Sequence, residues 1–336
     1  MRQYPSILLI LMLLFVSCGK KNRFAIDTSR DRIEVKVKRF DLDLIRMDTT
    51  RISTSVETLS ATYPEFLPLF IRHVTNTSIE DKDTIASLLG DFVMSPLVKD
   101  VNEKVIAEFS DISNMEREFS DAYTYLHHYF PNLTLPEIYF YVSGFFTPMM
   151  INPQRTILGT ATDYYLGADF EPYKNMFYEY MLQNMRKEQL PIDILSALIQ
   201  RNFQFDATQN RLLDNMLYRG KCLFLLSIIL PDRTTNEILG YSTEQWQWAE
   251  THETQIWQTI IGQKDLFSSD LQLINKYLND APFTTPISQD SPGRLGAWVG
   301  YRIVDSFMRK NKAVTLPELM RMNDYQKLLE KSGYNS

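Results

Sequence analysis

The stretch SPGRLGAWVGYRIVDSFMRK, residues 291–310, decides the architecture. Proline suits the first turn of a helix, where its fixed φ is already helical and its missing N–H costs nothing; Ser291 just before Pro292 is a capping residue type. The spacing therefore predicts a helix over 292–310. Gly296 and Gly300 lie four apart and share a face, with Val299, Ile303 and Phe307 around them. Glycine costs about 1 kcal/mol in a helix interior. Two on one face imply close approach of another element, either a packing seam inside the body or a surface for a partner.

Upstream, 243–262 reads as a second helix. At 100° per residue, Trp246, Ala249, Ile256, Trp257 and Ile260 form one apolar stripe with Glu253 at its centre. A carboxylate there must be paired. Arg294 is the predicted partner, because a cation in the first turn of a helix opposes the macrodipole and calls for a compensating charge. The same segment contains THETQIW, residues 251–257. A His-Glu pair with a second His at i+4 would bind zinc, but that position is Ile256. The other histidines, His73, His127 and His128, have no HExxH spacing.

Helical periodicity also covers 55–61, 65–75, 80–92, 97–109, 113–129, 172–187, 191–203, 209–229, 269–279 and 323–331. Ser113 with Glu116 reads as a capping box. IEVKVKR, 33–39, alternates apolar and basic and predicts a half-buried strand. EIYFYVS, 137–143, predicts another, as do 155–160 and, more weakly, 163–166. The fold class is α+β: one helix-rich body with a small mixed sheet. No repeat or composition break divides residues 32–336, which read as a single globular domain.

The N-terminus, MRQYPSILLILMLLFVSCGKKNRF, carries Arg2 and then the apolar run 7–16. Ten residues are too few to span a bilayer, which takes about 20. Residues 1–17 read as a signal peptide. The run ends in Ser17-Cys18 and resembles the lipobox of bacterial lipoproteins, although Phe15 departs from the usual Leu or Val. That resemblance implies cleavage before Cys18, which then carries diacylglycerol and an acyl chain, palmitate being the typical chain. Several acyl chains, each contributing about 0.8 kcal/mol per buried CH₂, would hold the protein on a membrane. Residues 18–31 then read as a lipidated tether. Loss of Arg2 moves the formal charge from −6 to −7, which argues against nucleic acid. With Cys18 lipidated, Cys222 in CLFLLSIIL has no partner and reads as a buried, inert thiol.

Other chemistry-bearing patterns are sparse. The sequence contains no G-x-S-x-G, P-loop or G-x-G-x-x-G. DYYLGADFE offers Asp163, Asp169 and Glu171 as oxygen ligands without EF-hand spacing. Asp41 and Asp43 flank Leu42 at a predicted strand end and would face one side. No catalytic residue, metal or cofactor is expected from these patterns.

Several stretches resemble the gliding motility-associated lipoprotein GldB family: RFDLDL (39–44), YPEF (63–66), YFPNLTLPEIYFY (129–141), DYYLGADFEPY (163–173), GKCLF (220–224), WAETHETQIW (248–257), APFTT (281–285) and SPGRLGAWVGYRIV (291–304). The resemblance implies a non-catalytic, lipid-anchored protein of the cell envelope. It would face the periplasm, have envelope protein partners and be associated with gliding motility and the type IX secretion machinery. RLLDNMLYRGKC, 211–222, is also similar to a stretch of a group of predicted zinc peptidases in which a metal-binding Glu stands where this chain has Arg219. There the HExxH helix lies upstream, where this chain has PIDILSALIQRNF, 191–203. This second resemblance implies a zincin-like body without its metal ligands. Its alternative use would be a binding lipoprotein that takes a peptide or small molecule in an aromatic-lined cleft.

Overall fold

In EIYFY the side chains of alternate residues enter two different cores. Ile138 and Phe140 join a large helical cluster, whereas Tyr139 and Tyr141 join a smaller aromatic one with Phe40, Tyr63, Phe66 and Phe70. A strand apolar on both faces is one covered on both faces. The computed structural model describes residues 23–75 and 81–335. The predicted signal peptide and Cys18 lie outside the described residues.

Helices α1 to α6 are Phe40–Ile45, Ile52–Thr62, Phe66–Thr75, Lys82–Met94, Pro96–Glu108 and Ser113–Tyr129. Strands β1 to β4 are Lys38–Arg39, Glu137–Tyr141, Met149–Ile151 and Ile157–Ala161. Helices α7 to α11 are Glu179–Leu182, Leu190–Asn202, Leu212–Ile229, Thr235–Leu239 and Thr243–Thr251. Helices α12 to α16 are Glu253–Gly262, Leu271–Leu278, Leu295–Lys310, Leu316–Arg321 and Tyr325–Ser332. The sheet order is β1-β2-β4-β3, with β1, β2 and β4 parallel and β3 antiparallel to β4. The fold is therefore a helix-rich α+β body with a small mixed sheet.

The centre of the large cluster is the α9–α14 crossing. A Cβ on Gly220 would collide with the backbone of Gly300, and one on Gly300 with the backbone of Met216. Gly296 instead faces Tyr277 and Leu278 of α13. Both glycines predicted in α14 are buried. They form packing seams inside the body, and the partner-surface alternative is overturned at these two positions.

Several boundaries differ from the sequence expectation, each for a local reason. Only Lys38–Arg39 of the predicted strand 33–39 joins the sheet. The preceding residues lie along α6: Ile33 N–H donates to Thr124 Oγ1 (3.0 Å), Val35 N–H to Ser120 Oγ (2.9 Å) and Val37 N–H to Glu116 Oε1 (3.0 Å). Two extended residues advance about 6.6 Å and four helical residues about 6 Å, so the spacings match. Glu116 is thereby drawn out of the predicted capping box. Residues 23–26, expected in the tether, also lie on the body. Arg23 donates to the carbonyls of Lys312 and Val314, and buried Phe24 packs edge-on against Tyr129 and Phe224.

The helix predicted over 292–310 starts at Leu295, because Thr284 Oγ1 accepts from Leu295 N–H (3.1 Å) and donates to Pro292 O (2.8 Å). Arg294 takes a left-handed conformation at that junction (φ 59). The helix predicted over 243–262 breaks at His252, whose Nδ1 lies 2.8 Å from Trp248 O and whose ring stacks on Trp248. Residues 172–187 form short turns rather than one helix, around buried Tyr173. The weak strand expected at 163–166 begins as a 3₁₀ turn, Thr162–Tyr164.

Candidate functional site

A cleft of about 450 Å³ opens beside α8 and α9. In α8, Asp193, Ser196 and Gln200 are spaced three and four apart and share the face that lines it. Arg219 enters from α9, above an apolar floor that includes Leu223 and Leu226. Arg294 and Asp280 close one side. Among the lining residues Tyr180 is the single aromatic, which corrects the aromatic-lined expectation. The aromatics gather instead around Phe145, which packs against Tyr164, Tyr173 and Phe177.

The charges in the cleft are unevenly matched. Asp193 accepts from Gln189 Nε2 (3.0 Å) and from the Tyr165 hydroxyl (2.9 Å). Burial pushes its carboxyl above the usual range, while those hydrogen bonds and Arg294 pull it down. Arg294 Nε lies 3.0 Å from Asp280 Oδ1, and its guanidinium also donates to Leu239 O. Arg219 donates to Gln200 Oε1 (2.9 Å), and Gln200 Nε2 donates to Ser196 Oγ (2.8 Å). Among the described residues no carboxylate lies within ion-pair distance of Arg219. Gln189 is 5% exposed, and its Oε1 is buried without a hydrogen-bond partner.

Ser196 and Gln200 stand one turn apart on one helix, and Arg219 comes from the next. Two histidines and a glutamate so placed would be a zinc site. Here the three side chains bond to one another. Among the described residues, no group of three or more His, Cys, Asp or Glu is placed to hold a metal ion. Cys222 borders the cleft, but burial pushes its thiol up to about 11. It is buried and unpaired, as expected of an inert thiol. The sequence signal for this cleft is the polar face of Asp193, Ser196 and Gln200 on an otherwise apolar helix, which period analysis for helix type alone passes over.

The other expected sites resolve separately. Glu253 does not pair with Arg294. Its carboxylate accepts from Arg302 Nε (3.1 Å), Arg302 Nη2 (2.9 Å) and the Tyr334 hydroxyl (2.8 Å). Arg302 lies well inside α14, where it overlooks α12, whereas Arg294 sits before the first turn and turns to Asp280. Asp41 is not on a strand edge: it is fully buried in α1 and forks onto Arg39 (2.9 and 2.8 Å). Asp43 accepts instead from Tyr63 (2.6 Å). Asp163 binds backbone rather than acting with Glu171, which pairs with Lys174 (2.7 Å). Its carboxylate accepts from Ser143 N–H (3.2 Å), Ser143 Oγ (3.2 Å) and Phe145 N–H (2.9 Å). It thereby holds the turn in which Gly144 (φ 68) and Phe145 (φ 66) are both left-handed.

Fold and cleft together define a helix-rich α+β protein with a ligand-sized hollow bordering its central helix pair. The family model described as Gliding motility protein GldB matches residues 21–336, and the chain belongs to that family of gliding-motility-associated envelope lipoproteins. No curated protein and no solved structure matches it. Among the described residues, no helix is long and apolar enough to cross a membrane.

Proposed function

We propose that the protein is a lipid-anchored component of the gliding and type IX secretion apparatus that acts by binding rather than catalysis. Family membership over residues 21–336 supports the envelope assignment. The lipobox-like Cys18 supplies the anchor, and the leader preceding it sends the body to the periplasm. The observation that carries the non-catalytic reading is the Arg219–Gln200–Ser196 chain. If the resemblance to the zinc peptidases holds, this chain of mutually bonded side chains stands on the two helices that would carry their ligands. The body is then a zincin-like scaffold turned to recognition, and its partners are other envelope proteins.

Two measurements test this. Cys18→Ala should move the protein from the detergent phase to the aqueous phase and remove it from envelope complexes captured with the wild-type chain. Unchanged partitioning would end the lipoprotein reading. Elemental analysis of the purified chain should find no stoichiometric zinc, and one tightly held zinc per chain would overturn the non-catalytic reading.

A further inference from the structure

We infer that the cleft between α8 and α9 is a recognition site for the free C-terminal carboxylate of an apolar peptide. Arg219 is partly buried on the cleft wall with a neutral amide as its polar partner. A cleft-facing guanidinium without a counter-charge has N–H groups free to receive a carboxylate, which would bind through two parallel N–H···O bonds. The carboxylates already present are answered within the protein: Asp280 by Arg294, and Asp193 by Tyr165, Gln189 and the nearby Arg294. The four charges of the cleft sum to zero, but Arg294 is taken up by Asp280, which leaves Arg219 as the cation bonded only to a neutral amide.

Two further features select a peptide over a simple anion. Below Arg219 the floor is apolar, with Leu223 and Leu226 from α9 and Ile238 and Leu239 from α10. An inorganic anion leaves that floor uncovered, whereas a terminal apolar side chain fills it. Gln189 lines the same cleft and carries a buried Oε1 that lacks a donor within the protein, and a peptide N–H would supply one once the Gln189 side chain turns that oxygen towards the cleft. A fatty acid has the carboxylate and the apolar chain but no N–H. The volume of about 450 Å³ lies within the ~300–1,000 Å³ of small-ligand clefts, which limits the occupant to a short terminal segment. The inference goes beyond the envelope assignment and does not depend on acylation of Cys18.

The test is calorimetric titration of the full-length chain in detergent with N-acetyl-Ala-Leu-Phe as free acid, as C-terminal amide, and with laurate. The free acid is expected to bind, with the amide weaker by about ten- to a hundred-fold, the worth of one charged hydrogen-bonded contact. Arg219→Gln should bring the acid down to the level of the amide. Arg219→Lys should restore part of the difference, because it keeps the charge and loses the fork. Ser196→Phe, which fills the cleft and keeps the Arg219 charge, should abolish binding of both peptides; melting curves establish that each variant is folded. Equal binding of acid and amide, an unchanged acid affinity in Arg219→Gln, or binding of laurate but not of the peptide would each overturn the inference. Loss of membrane anchoring in Cys18→Ala would leave these titrations unaffected, so the two readings fail separately.

Discussion

Gly220 faces the backbone of Gly300 where α9 and α14 cross, and the contact is backbone against backbone. Backbone cannot move aside as a flexible side chain can. Gly300→Ala should therefore destabilise the protein by about 3 kcal/mol, at the upper end of overpacking costs, despite the better helix propensity of alanine. Gly262→Ala is the control. A Cβ there meets nothing within 4 Å, so up to about 1 kcal/mol of stabilisation is expected. Urea midpoints of the two variants should shift in opposite directions.

Glu253 and Arg302 should be strongly coupled in a double-mutant cycle. Their side chains are 16% and 28% exposed, too covered for the surface value of about 0–1 kcal/mol. Glu253→Gln against Arg302→Gln should give a coupling of about 1–3 kcal/mol. Glu253→Gln against Arg294→Gln should be additive within about 0.5 kcal/mol.

Asp163 should make part of the stability fall with rising pH. Burial lifts its carboxyl from 3.8 to about 6, outweighing the backbone donors that lower it. The folded chain thus holds this proton more tightly than the unfolded chain. The contribution is fully present below the unfolded value of 3.8 and is lost as pH rises through about 6. Its size is about 3 kcal/mol at 1.36 kcal/mol per unit. The stability difference between wild type and Asp163→Asn, followed by urea melts across that window, should fall in favour of the variant by this amount as pH rises.

Ser120→Ala should loosen the segment that lies along α6. The Val35 N–H would lose its acceptor, at a cost of about 1–3 kcal/mol for a buried donor left unsatisfied. Amide exchange should accelerate at Ile33, Val35 and Val37 and stay slow at Phe140 in β2. Uniform acceleration would instead mean global unfolding.

The sequence reported exposure more faithfully than partnership. In IEVKVKR the alternation placed Val35 and Val37 inside and Lys36 outside, as found. A period of two is the same whether the neighbouring acceptors belong to a strand or to Glu116, Ser120 and Thr124 on a helix. Glycine spacing in α14 marked close approach, yet Gly296 and Gly300 meet different helices, and the mate of Gly300 lies in α9, eighty residues upstream. The central position of Glu253 marked a need for pairing. Choosing between Arg294 and Arg302 required the path of the chain at Thr284, which starts α14 later than Pro292 suggests. The cleft was half legible: Arg219 stood out against the peptidase pattern, but the unmatched Gln189 Oε1 is a tertiary fact with no local signal.

The run of contacts from Phe24 to Val37 also determines how the body would bear a mechanical load. Phe24 O accepts from Tyr129, Ile26 N–H reaches the Tyr125 hydroxyl, and Ile33, Val35 and Val37 follow on Thr124, Ser120 and Glu116. The segment therefore runs antiparallel to α6, rung by rung. Between Cys18 and Arg23 only residues 19–22 intervene. Tension from the anchor proposed at Cys18 would meet the clamp of Arg23 on the Lys312 and Val314 carbonyls first. A pull along α6 then strains all the rungs together in shear, whereas a pull across it opens them one at a time from Phe24, like a zip. The body would resist drag along the α6 axis far better than lift away from it.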